Sequence, residues 1–392
     1  MIGITVCKKK SLLLARKQFP TVQTRYNPPR HELLYKIKSL VKLHIVIALI
    51  TTLTIAALSI NWAAIFMARS FGLMDIPDSR KQHRGAIPLT GGVAIFLTIL
   101  LGNIACDVPP YSYNMMIIAI IVFMVGVYDD NSHINATARL LIQYGSGVAL
   151  ATYGGIAIVN AGNLLAMGDI PLMMLSIPLT ALAVAGLSNA YNMIDGIDGL
   201  AASTILLPLL VLYGLAAPHG HPMAPAVLLM IIPLLVFLVF NLGPNNRVFP
   251  KIFLGDGGSV TLGFLVTASL VYFSQGENAV IRPVTALWLV TVPLMDMIAT
   301  MLRRWRKGHK LMDADRSHLH HTLMNMGLNT RQALLLMVGY ATLCALIGLG
   351  LESGPESLSL LLYTLLFIGH CTFVVISDRR SAANSRDMTP EA

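Results

Sequence analysis

Charge is scarce in this chain: of 392 residues only 12% are Asp, Glu, Lys or Arg, while 55% are hydrophobic. That much apolar surface exceeds what one water-facing shell can hide, which excludes a soluble globule. Cysteine is nearly absent too. Cys7, Cys106, Cys344 and Cys371 stand apart, with no CxxC spacing and no neighbouring histidine pattern, so neither a disulfide framework nor a zinc site is expected. Glutamate is confined to Glu32, Glu277, Glu352, Glu356 and Glu391; every carboxylate in the loops assigned below to the cytoplasm is Asp. A short, stiff carboxylate suits fixed metal geometry as well as turns and caps. The net charge of +9 is no sign of nucleic acid, because basic residues on an apolar chain act as topology signals and contacts to anionic lipid.

What the chain has in abundance is apolar runs of roughly 17 to 25 residues, the length that crosses a bilayer as a helix. They predict spans near 44–67, 86–107, 113–128, 138–159, 172–192, 199–217, 223–243, 257–275, 281–302, 332–351 and 357–377. The expected fold is all-α, a polytopic integral membrane protein of about eleven transmembrane helices. Residues 1–43 form a basic extension, amphipathic near Leu33–Leu43 and solvated or disordered elsewhere; 44–377 form the membrane domain, and 378–392 a polar tail.

Alternation can be tested with the excess of Lys and Arg that marks cytoplasmic loops. One side holds Arg69, Arg80, Lys81, Arg84, Arg139, Arg247, Lys251, the Arg303–Arg331 group and Arg379, Arg380 and Arg386; the other offers only Arg282. The first side is therefore expected in the cytoplasm. An odd number of helices then leaves residues 1–43 outside, although they are the most basic stretch of all.

Three acidic boundaries fall on that cytoplasmic side: Asp129-Asp130, Asn192-Met-Ile-Asp195-Gly-Ile-Asp198-Gly, and Phe253-Leu-Gly-Asp256-Gly-Gly-Ser259. Ionised carboxylates are costly in hydrocarbon, so their gathering marks a site. Asp and Gly also build ordinary interfacial turns, and a lone Asp-Gly carries no more than that. The glycines after Asp256 let phosphate oxygens approach a helix N-terminus. Asp129 and Asp130 close a helix at the end its dipole makes unfavourable for acids, which favours a functional reading. Mg²⁺ takes hard oxygen ligands and few of them from protein, which fits this set. In the longest loop His318, His320 and His321 stand amid cations; that setting favours an anion over zinc, and pyrophosphate or sugar contacts are expected. Asp296, inside an apolar run, calls for a partner, with Arg303 or Arg304 nearest in sequence.

With these residues in place, the chain from about 70 to 335 resembles the polyprenyl-phosphate N-acetylhexosamine-1-phosphate transferases. The matching motifs are Arg80-Lys81-Gln-His83 with Pro88 and Gly91-Gly92, Asp129-Asp130, Asn189 to Gly199, Phe253 to Asp256, Pro283 to Trp288, Pro293 to Asp296, and Asp315-Arg-Ser-His318-Leu-His320-His321. The resemblance implies transfer of N-acetylglucosamine 1-phosphate from UDP-N-acetylglucosamine to undecaprenyl phosphate in the bilayer, releasing UMP. This is a first membrane step of O-antigen, enterobacterial common antigen or a similar cell-envelope glycan, with the active site on the cytoplasmic face of a bacterial inner membrane. It implies Mg²⁺, with Mn²⁺ as the alternative, held by Asp256 and Asn192. Asp129 matches the base and Asp130 assists it, Asp195 and Asp198 lie near uridine and diphosphate, Phe253 stacks on uracil, and Asn241 is a nucleotide-pocket amide. Lys81, His83, Arg303 and Arg304 count as substrate contacts, His318, His320 and His321 as the sugar and pyrophosphate loop; a homodimer is one option.

Two departures bear on the donor. Relatives that use UDP-N-acetylmuramoyl-pentapeptide carry a Lys soon after the Asp pair, where Asn131, Ser132 and His133 stand here with Arg139 the first cation. Their consecutive histidines are replaced by the interrupted His-Leu-His-His form. Both point to the simpler N-acetylglucosamine donor. The alternatives are the same chemistry on that peptide donor or on UDP-N-acetylgalactosamine and, more distantly, a transporter, whose acids would lie near the bilayer midplane.

Overall fold

The computed structural model describes residues 30–77, 85–106, 113–132, 134–308 and 318–387. The chain divides into two units, Met1–Ile47 and Ala48–Ala392. Of the first only 30–47 is described; it is helical, its side chains up to residue 39 and that of Lys42 lie outside the described set, and of the expected amphipathic stretch only Leu40, Val41 and Leu43 are described, all exposed.

Helices follow in the order α1 (Arg30–Ala68), α2 (Gly91–Cys106), α3 (Tyr113–Ser132), α4 (Ala136–Thr152), α5 (Ser176–Ile194), α6 (Leu200–Ala216), α7 (Ala224–Leu242) and α8 (Asp256–Ser274). After these come α9 (Pro283–Leu289), α10 (Thr291–Arg306), α11 (Leu319–Asn325), α12 (Thr330–Gly350) and α13 (Glu356–Asp387). Each expected span falls on helix. Among the described residues seven helices are long and apolar enough to cross a membrane, and the α9–α10 pair passes the same test as one bent span. The other three expected spans coincide with helices of only 16 or 17 residues, α2, α4 and α6, of which α2 and α6 are apolar; by length and composition seven or eight spans stand among the described residues, against the eleven expected. The fold is all-α and that of a polytopic membrane protein. The apolar span within α1 is Leu43–Ala68 and that within α13 is Glu356–Ser377, beside the expected 44–67 and 357–377.

The span expected at 281–302 is broken: α9 and α10 meet at 76°. Pro293, in the first turn of α10, has no N–H to continue the ladder from α9, and Val290 between them leaves helical geometry at φ −117°, ψ 21°.

Helix α8 is the hub, buried along nearly all its length, with α2, α3, α5 and α6 packed around it. Small residues permit this approach. A Cβ on Gly92 would lie 2.3 Å from the Gly258 Cα, and one on Gly126 would lie 2.6 Å from the Gly257 Cα. In hydrocarbon, where water does not drive helices together, such close backbone packing supplies the cohesion.

A short extended ladder sets the start of α8. Strands β1 (Met74–Asp75) and β2 (Ile87–Pro88) pair antiparallel, Met74 opposite Pro88. The chain before α8 joins them: Phe253 N donates to Pro88 O, Gly91 N to Phe253 O, and Gly92 N to Leu254 O, each at 2.9 Å. Asn241 Nδ2 donates to Ile252 O at 2.8 Å and fixes the same segment from α7.

Candidate active site

The three acidic boundaries meet. Asp129, Asp130, Asn192, Asp195, Asp198 and Asp256 all line one cavity of about 1340 Å³, whose walls also include Asn241, Lys251, Phe253 and His321.

Asp130 explains why acids stand at the C-terminus of α3. Its Oδ1 accepts from Asp256 N at 2.7 Å and its Oδ2 from Gly257 N at 3.0 Å, so it caps the N-terminus of α8. The charge unfavourable to its own helix is favourable to the next one. This approach requires Gly255, which has φ +74° and would place a Cβ 2.8 Å from Asp130 Oδ2.

Asp129 is 3% exposed. Its Oδ1 accepts from Ile134 N at 2.6 Å and its Oδ2 from Arg139 Nη1 at 2.8 Å. The same Nη1 lies 3.7 Å from Asp256 Oδ2, so one guanidinium spans both carboxylates. The sequence marks Arg139 as a topology signal and as the first cation after the Asp pair; its place between two carboxylates adds a role in the site.

Asn192, in the last turn of α5, donates through Nδ2 to Asp256 Oδ1 at 2.6 Å and to Ser259 Oγ at 3.1 Å. Asp195 and Asp198 occupy the turn between α5 and α6. Lys251 Nζ lies 2.5 Å from Asp198 Oδ2 and 5.6 Å from the centre of the Phe253 ring, a cation that sequence reasoning did not single out for the site. Asp195 is exposed on the cavity wall. Desolvation by the protein packed around it, with the negative charge of Asp256, Asp130 and Asp198, pushes its carboxyl up to about 8.

The donors suit a hard divalent cation. Asp256 keeps 38% of its side chain exposed, and Asn192, tied to it through Nδ2, has its Oδ1 as a further oxygen donor. Among the described residues no group of three or more His, Cys, Asp or Glu side chains is placed to hold a metal ion. Mg²⁺ is compatible with that, because it takes one or two protein ligands and completes its shell with phosphate and water.

The histidines divide. His321 faces the cavity, whereas His318 and His320, expected beside it as substrate contacts, are 7% and 1% exposed and do not border it. Burial, with His321 next to it, drives the proton affinity of His320 down to about 3, so its ring is neutral. Arg303 and Arg304, also expected to touch substrate, are buried at 6% and 5% and stand away from the cavity wall. Asp296 pairs with His318 instead of either arginine, Nδ1 to Oδ2 at 3.0 Å. Lys81 and His83, like Asp315 and Arg316, lie outside the described residues.

Residues 112–274, which carry all three acidic boundaries, match the model of glycosyl transferase family 4. Over 313 residues the chain is 35% identical to the undecaprenyl-phosphate alpha-N-acetylglucosaminyl 1-phosphate transferase of Escherichia coli strain K12, covering 78% of this chain and 85% of that one. Proteins of the same name from Yersinia pestis and Haemophilus influenzae are each 34% identical, over 79% and 72% of this chain and 88% and 80% of their own lengths.

Proposed function

This chain belongs to glycosyl transferase family 4, and from that premise we propose that it transfers N-acetylglucosamine 1-phosphate from UDP-N-acetylglucosamine to undecaprenyl phosphate, releasing UMP. The relatives' shared name supports both the acceptor and the transferred group. The observation that carries the reading for this chain is the convergence of Asp129, Asp130, Asn192 and Asp256 on one cavity large enough for a nucleotide sugar. The basic loops at that end support a site on the cytoplasmic face of a bacterial inner membrane, where a soluble donor would meet a lipid acceptor.

In the reaction an oxygen of the lipid phosphate bonds to the β-phosphorus of the donor while the bond from that phosphorus to the UMP oxygen breaks. A phosphate monoester has its second pKa at about 6, so the acceptor reaches pH 7 mostly dianionic. Asp129, held by Arg139 and Ile134 N, therefore orients the acceptor more than it deprotonates it. Arg139 offsets the repulsion between two anions brought together. Phe253 offers a ring face to uracil, with Lys251 and Asp198 beside it. Asp256 and Asn192 would hold Mg²⁺, or Mn²⁺ in its place, which neutralises diphosphate charge when bound.

Purified protein given each labelled UDP-sugar with undecaprenyl phosphate tests the reading. UDP-N-acetylglucosamine is expected to yield UMP and a lipid-linked sugar diphosphate in equal amounts, dependent on a divalent cation. Release of UMP only from UDP-N-acetylgalactosamine or the muramoyl-pentapeptide donor would move the assignment, and no release from any would end it.

A further inference from the structure

Between the bent span and the cavity lies a polar pair with no part in the scheme above. Asp296, 2% exposed and midway along α10, uses both carboxylate oxygens on the start of α11: Oδ2 accepts from His318 Nδ1 at 3.0 Å and Oδ1 from Leu319 N at 2.7 Å. Thr300, one turn further along α10, places its Oγ1 3.4 Å from the same Nδ1. An ionised carboxylate can only accept, so it fixes the His318 tautomer with the proton on Nδ1. Burying such a group is costly unless both oxygens are used, and here both are used on one short element.

That element carries the other two histidines. The His318 and His320 rings lie parallel with centres 5.8 Å apart, and His320 and His321 are 4.2 Å apart. His320 presses on the turn between Asp195 and Asp198: a Cβ on Gly196 would lie 2.3 Å from its Nε2. His321, the next residue, emerges on the cavity wall beside that turn. Where α11 sits thus decides where His321 points and what supports Asp195.

We propose that Asp296 is a positioning residue for the transfer reaction: by clamping His318 and the Leu319 amide it seats α11, so that His320 braces Gly196 and His321 alone of the three histidines meets substrate. The proposal rests on the transferase reading above. It divides labour within a motif whose histidines were expected to share one role.

The test uses full-length protein and two readouts. Asp296→Leu removes both hydrogen bonds and is expected to raise amide exchange across residues 319–325 at least about tenfold, with α5 and α8 unchanged; Asp296→Asn, which keeps an acceptor for Leu319 N–H, should raise it less than about threefold. In turnover, Asp296→Leu should lower kcat/KM at least about thirtyfold in the otherwise native protein, but less than about threefold in a His321→Ala background, because the two act as a unit. Equal losses in both backgrounds, or unchanged exchange in α11, would overturn the proposal. If Asp296→Leu does not fold, His318→Leu serves in its place, and native exchange with native turnover in that variant would overturn it equally. Should the native protein transfer no sugar phosphate, the transferase reading fails, and the exchange measurement still decides whether Asp296 seats α11.

Discussion

The two ends of the helical bundle both gather polar side chains, and they treat them oppositely. Helix α8 runs from Asp256 to Ser274, about 28 Å at 1.5 Å per residue, and so links both clusters. At its far end Gln275 Oε1 accepts from Val159 N and Asn160 N, and its Nε2 donates to Asn160 O, each at 3.0 Å. Nearby, Arg282 N donates to Glu352 Oε1 at 2.8 Å, Thr285 donates to the other Glu352 oxygen, and Arg282 Nη1 reaches Gly354 O. Those groups close on one another and staple α8, α9 and the α12–α13 turn. At the near end carboxylates are brought together by the cap on α8 and by Arg139, then left facing open space. A polar cluster that consumes its own hydrogen-bonding capacity holds a fold; one that leaves capacity pointing into a cavity is available for a ligand.

That contrast can be broken most forcefully at Asp256. Asp256→Ala should cut UMP release by about 10³-fold or more while the protein still inserts and folds, as judged by its elution in detergent and its thermal midpoint. Arg139→Met should come next, with a loss of about 10²-fold in kcat, because it leaves Asp129 and Asp256 without the guanidinium between them. At the far end the ranking should reverse: Glu352→Gln is expected to cost about 1–3 kcal/mol of stability and leave kcat within about twofold, measured by thermal unfolding beside turnover. A large loss of turnover there would erase the distinction between the clusters.

The smallest effect concerns pH. The Asp195 carboxyl, near 8 in the folded chain, ordinarily titrates near 3.8. Between those values the unfolded state has released a proton that the folded state keeps, so this group makes metal-free protein lose stability as pH rises from about 4 to about 8. Asp195→Asn should flatten that slope in thermal midpoints taken at pH 5 and pH 8. An unchanged slope would show that Asp195 titrates like an exposed acid.

Hydropathy made the helices legible, because a run of apolar residues long enough to span a bilayer has few other uses. The acidic boundaries were legible because a charge at the edge of such a run is costly and needs a reason. What escaped was tertiary. Nothing in Asp129-Asp130 says that the second acid caps a helix more than a hundred residues on while the first is held by Arg139. The 76° break at Val290 hides inside one apolar stretch, although Pro293 hinted at it. The partner of Asp296 lay beyond the nearest arginines, at His318, 22 residues on. Spacing alone also could not tell which of three adjacent histidines faces the cavity, since that depends on where a seven-residue helix is seated.

The most direct measurement compares native protein, Asp256→Ala and Glu352→Gln under one set of conditions, with radiolabelled UDP-N-acetylglucosamine, undecaprenyl phosphate and Mg²⁺. The account predicts matched UMP release and lipid labelling for the native and Glu352→Gln proteins and neither product for Asp256→Ala. Equal turnover by Asp256→Ala, or no product from the native protein, would contradict it.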